Sequence, residues 1–109
     1  MRLIVCALTL TALSAAQAPK AQTFVGTITD NMCSKADHSQ MQMGPTDAEC
    51  VKACVAAHGA TYVLYDGTNV YALSDQKTPE KFAAQRVRVT GTLDAKTKKI
   101  AVTSIAAAK

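Results

Sequence analysis

Three of the four cysteines, both histidines and three of the four methionines fall within residues 32–58. Thiolates, imidazoles and thioethers have one property in common: each binds soft or borderline metal ions. The cysteines follow the spacing C-x16-C-x3-C, as Cys33, Cys50 and Cys54. That spacing matches no zinc ribbon, so the residue types carry the argument. The candidate ligands are Cys33, Cys50 and Cys54, with His38 the favoured fourth. His58, or a methionine of Met41-Gln42-Met43, can take that place instead. Three thiolates and an imidazole fit zinc, whereas thiolates beside thioethers fit cuprous copper. The Met-x-Met pair inclines the choice toward copper.

Simpler readings compete at each position. Cys33 can pair with Cys50 or Cys54 as a disulfide, closing a loop of about 17–21 residues worth roughly 3 kcal/mol. The thiols can also be redox-active, although no Cys-x-x-Cys motif is present. His38 can be a solvated loop residue, and His58 can interact as a cation with the end of a helix. Met32, Met41 and Met43 can be gap-fillers or exposed loop residues.

The elements that must position these side chains come from one small domain. Residues 1–16 read as a secretory signal peptide: Arg2 near the start, an apolar run over residues 3–13, then Ser14-Ala15-Ala16. That run is shorter than the roughly 20 residues that span a bilayer. Cys6 leaves with the peptide, so three cysteines remain for an oxidising compartment. Loss of Arg2 leaves eleven basic residues against eight acidic, a net charge of +3. This mild basicity suits a soluble periplasmic or secreted protein and is not the charge of a nucleic-acid binder. Residues 17–22 read as a disordered leader, and residues 23–106 as the domain.

Residues 23–30 are β-rich, with Gly26 inside marking a bulge or bend. A polar, methionine-rich loop follows. Thr46 with Glu49 three residues on forms a capping box, and Gly59 is a stop signal, so a helix spans about residues 46–58. Ala48, Val51 and Val55 form its apolar stripe; Cys54 and His58 border the stripe, and Cys50 lies one step beyond. Cys50 and Cys54, one helical turn apart, have Cβ atoms about 5–6 Å from each other. A disulfide wants about 3.5–4.5 Å, while a shared metal ion suits the longer spacing. Strands are predicted over residues 60–65 and 68–73, joined by a two-residue Asp66-Gly67 turn. Helical turns over residues 77–84, capped by Thr78 with Pro79 first, come next. Strands over residues 85–94 and 100–105 end the domain, with a fraying tail. The fold class expected is mainly β: a small five-stranded OB-like barrel. It carries a helical insertion between strands 1 and 2 and a short helix before strand 4.

The stretches G-T-I-T-D-N-M-C at residues 26–33, His38, E-C-V-K-A-C-V at residues 49–55 and V-R-V-T-G-T-L at residues 87–93 resemble a family of small exported bacterial proteins. That family has an OB-like barrel and no established function. The resemblance covers nearly all of the mature chain. It implies that Cys33, His38, Cys50 and Cys54 act as one constellation. Ser34 stands where members often have glycine.

The sequence holds no nucleophile elbow, glycine-rich phosphate loop or His-Glu-x-x-His helix, so a binding protein is expected rather than an enzyme. The expected role is sequestering, sensing or delivering copper or zinc outside the cytoplasm, and another exported protein is a candidate partner. The competing role is a disulfide-stapled OB-like interaction module that binds a protein or polysaccharide and no metal. Neither nucleic acid nor a membrane span enters either reading.

Overall fold

The structure is a computed structural model that describes residues 20–39 and 44–108. The expected signal peptide lies outside the described residues, as do Met41 and Met43. The chain is mainly β. Strand β1 is Gln22–Asp30, followed by helix α1, Asp47–His58, and strands β2, Tyr62–Tyr65, and β3, Val70–Leu73. Strands β4, Arg86–Asp94, and β5, Lys99–Ala107, complete a five-stranded mixed sheet. Neighbours run in the order β1-β2-β3-β5-β4, and β1 also pairs with β4, so the sheet closes on itself. All pairings are antiparallel except β3 with β5.

Strand β1 serves two neighbours. Residues 22–27 pair with β4, and residues 27–30 pair with β2. Gly26 sits at that hand-over, where a Cβ would lie 2.5 Å from the Tyr65 carbonyl oxygen. Gly91 marks the bend in β4: the register to β5 shifts between Thr90 and Gly91, and a Cβ there would collide with the Ala101 carbonyl. Both glycines therefore let one strand cross close to another backbone.

The core contains Ile28, Leu64, Val87, Val89 and Ile100 from the sheet, joined by Val51 from α1. Ala48 and Val55 pack against it at the edge, so the predicted helix stripe is the buried one. Thr46 caps α1: its hydroxyl oxygen accepts from the Glu49 N–H at 3.2 Å. Gly59, at φ 66°, ends the helix in the left-handed conformation.

Several boundaries differ from expectation. Gln22, read as part of a disordered leader, is paired with Gly91 in β1. The β2–β3 connection is four residues, not two: Asp66 Oδ1 accepts from the N–H groups of Thr68 and Asn69 and holds a wider loop. The helical piece before β4 is a 3-10 helix, Thr78–Phe82, with Lys77 rather than Thr78 at the cap position. Asp75 Oδ1 takes the N–H groups of Lys77 and Thr78 at 2.9 and 3.0 Å, and so serves as the cap. The tail does not fray at residue 105, because Ala106 and Ala107 pair with Arg88 and Val87.

Candidate metal centre

The site begins where β1 ends. Asp30 is paired with Tyr62 of β2 and is completely buried. The next residue anchors the exit from the strand: the Asn31 N–H donates to the Thr61 carbonyl, and Asn31 Oδ1 accepts from the Thr61 N–H, both at 3.0 Å. Asp30 Oδ1 then accepts from the N–H groups of Met32 and Cys33, each at 3.0 Å. This is a side-chain-closed turn of the kind that aspartate favours. Thr29 Oγ donates to the Cys33 carbonyl at 2.8 Å, and the Ala36 N–H donates to it at 2.9 Å. The backbone of Cys33 is thus tied on both sides, which fixes the origin of its side chain. Ala36 takes a left-handed φ of 57°, turning the loop back so that His38 is buried.

One ligand atom from each of Asp30, Cys33 and His38 lies within 4.8 Å of the other two. All three residues are buried. Two of their polar atoms, Asp30 Oδ2 and His38 Nδ1, have no hydrogen-bond partner. Leaving a buried polar atom unsatisfied costs about 1–3 kcal/mol, and such atoms are few in folded proteins. Both atoms belong to residues of the buried donor group, where a bound cation would give them a partner.

Helix α1 adds sulfur. It contributes Cys50 and Cys54, 1% and 0% exposed, which with Ala60 form a small cluster distinct from the main core. Cys33, also buried, is the third thiol of this part of the molecule. No disulfide joins the three. Burial pushes the Cys54 thiol up to about 11, with the negative charge of Asp30 the next cause and Cys50 and Cys33 after it. Burial likewise raises Cys33, again followed by Asp30. A metal ion reverses this electrostatic logic, because a coordinating thiol gives up its proton.

An open, polar cleft of about 400 Å³ leads from the surface to this cluster, between the residue 36–39 loop and the start of α1. His38 and Cys50 line it, along with Asp37, Ser39, Thr46 and Asp47. Hydrogen bonds from the Ser39 side chain and backbone hold the Asp37 carboxyl below its usual range, so the mouth stays negative at neutral pH. A larger groove of about 610 Å³ surrounds the β4–β5 turn and has no residue in common with the site.

Of the ligands expected from sequence, Cys33 and His38 lie in one donor group with Asp30; Cys50 and Cys54 are buried together in α1 and are not members of that group. His58 is exposed in the last turn of α1, outside that group. Met32 is also outside it, 45% exposed. Asp30 is the member of the group that the sequence reading did not name. An aspartate at the end of a β run, three residues before a cysteine, is the signal for a side-chain-closed turn that would have placed it. No family model, curated protein or solved structure matches the chain.

Proposed function

We propose that the domain binds one transition-metal ion through Asp30, Cys33 and His38, with Cys50 and Cys54 of α1 adding thiolates. The observation that carries this reading is the buried group of Asp30, Cys33 and His38, with one ligand atom of each within 4.8 Å of the others, in which Asp30 Oδ2 and His38 Nδ1 have no hydrogen-bond partner. A set of one carboxylate oxygen, one imidazole nitrogen and thiolate sulfur suits zinc, which accepts all three. The carboxylate moves the balance from copper, favoured by the Met-x-Met pair, toward zinc. The protein acts outside the cytoplasm as an OB-like carrier, sensor or store of the ion and not as an enzyme.

Elemental analysis of protein isolated from an exporting host without added chelator tests this reading. About one equivalent of zinc or copper per chain is expected. Cys33→Ser is expected to lower affinity at least about tenfold, the scale of a lost ligand or its support. Metal-free protein with one disulfide and a single titratable thiol would instead identify the stapled interaction module.

A further inference from the structure

The donor group is covered over most of its surface. Asp30 is 0% exposed within the β1–β2 pairing, and Cys33 is 8% exposed in its tied turn. Of the three residues in the group, only His38 lines the polar cleft of about 400 Å³. His38 is itself 7% exposed, and its Nδ1 has no hydrogen-bond partner. The cleft thus reaches a buried imidazole that has an unused nitrogen.

The charge of the cleft is one-sided. Asp37 and Asp47 line it, both exposed, and no lysine or arginine does. They come from different elements: Asp37 from the loop after β1, Asp47 from the first turn of α1. The Ser39 N–H donates to Asp37 Oδ1 at 3.0 Å and so holds that carboxylate in place. The chain as a whole is net positive, and the larger groove at the β4–β5 turn carries Lys96 and Lys99. A cation is therefore repelled by the protein as a whole and drawn to this mouth, where a cleft lined by one sign of charge focuses the field.

Purely structural zinc sites are closed off by four protein ligands, whereas this group has a solvent path to one of its own. We infer that the cleft is the route by which the ion enters and leaves, and that Asp37 and Asp47 draw hydrated divalent cations into it. His38 is the member of the donor group that the ion meets first. Neither Asp37 nor Asp47 belongs to that group, so both act on the rate of arrival without bonding to the bound ion. An ion held in this way exchanges with solvent, as a carrier requires and a permanent store does not.

This inference rests on the metal-binding reading, and the experiment separates the two. Full-length mature protein is kept reduced, and zinc alone is the probe. Equilibrium affinity is measured by competition with a chromophoric zinc chelator. The release rate is measured by stopped flow with excess chelator, extrapolated to zero chelator, and the association rate follows from the two. Ser39→Trp and Pro45→Trp place a large ring in the cleft from either wall. The double variant Asp37→Asn with Asp47→Asn removes its charge, and the asparagine oxygen can keep the Ser39 hydrogen bond. Glu80→Gln, an exposed carboxylate that does not line the cleft, is the control. Circular dichroism identifies any variant that fails to fold.

Each tryptophan variant is expected to slow association and release together, by about tenfold, because a narrowed path hinders both directions. The double asparagine variant is expected to associate about threefold or more slowly at about 10 mM ionic strength and to match wild type near 1 M, where screening is nearly complete. Wild-type rates in folded tryptophan variants would overturn the inference, since the ion would then travel by another route. An unchanged association rate in the double variant, or an equal loss in Glu80→Gln, would overturn it too. A wild type that binds no zinc would defeat the metal-binding reading itself, and this inference with it.

Discussion

Asp30 has two jobs, and its two oxygens divide them. Oδ1 closes the turn that presents Cys33, while Oδ2 is buried with no partner. An asparagine at this position could keep the first job and lose the second. Asp30→Asn is therefore expected to leave metal-free stability within about 1 kcal/mol of wild type, since the amide oxygen can still close the turn and a neutral amide costs less to bury than a carboxylate. The same change should abolish zinc retention, and denaturant melts run beside elemental analysis check both halves. Thr29 acts through Cys33 by donating to its carbonyl. Thr29→Val keeps the shape and deletes that bond, at a cost of about 1 kcal/mol. Metal affinity should also fall as Cys33 loosens, measured by chelator competition. At this scale Cys33, His38, Cys50 and Cys54 were legible as chemistry-bearing residues. Asp30 was not, because a carboxylate at a strand end is commonplace until its burial is known.

Helix α1 is the element that buries Cys50 and Cys54 together. Its start is fixed locally by Thr46 and its end by Gly59. Val51 buries on the sheet and so sets the rotation about the helix axis that turns Cys50 and Cys54 inward. Thr46→Ala should cost about 1 kcal/mol through loss of the cap, read from the denaturation midpoint, with the metal ligands left intact. Strands β1 and β4 depend on close backbone approach. Gly91→Ala would drive a methyl group into the Ala101 carbonyl and Ile100, both structural atoms with little room to give. A loss of about 1–3 kcal/mol is expected, as for overpacking elsewhere, and it can be measured by urea unfolding. Helix boundaries were readable because capping is a local signal. The four-residue β2–β3 loop was not, because Asp66 hydrogen bonding outweighed the usual two-residue preference of Asp-Gly.

The whole molecule couples folding to protons through its buried thiols. Cys54 titrates near 11 in the folded state against an ordinary 9.0. Its proton is held more tightly when folded, so its contribution to stability is complete below pH 9.0 and is lost as pH rises toward 11. Cys33 adds to the effect with the same sign. Metal-free protein should therefore unfold more readily with each step in pH from about 9 to 11, whereas metal-bound protein, with its ligand thiols already deprotonated, should lose far less. On the acid side Asp66 and Asp75 are lowered below 3.8 by their turn hydrogen bonds. Their support is present above that value and is lost as pH falls through their folded range. Denaturant melts across both ranges, with and without a chelator, check these signs. Among the described residues no helix is long and apolar enough to cross a membrane.

Local chemistry was written in the chain itself: alternation marked the strands, caps bounded the helix, and clustered sulfur and imidazole marked the segment of interest. Those signals span a few residues and need no distant partner. Only the tertiary structure decided which donors are buried, because β1 must pair with β2 before Asp30 is covered, and α1 must dock through Val51 before Cys54 is. Exposure of His58 and burial of His38 were settled by the same packing, since periodicity gives an angle around a helix and says nothing of where the covering surface ends.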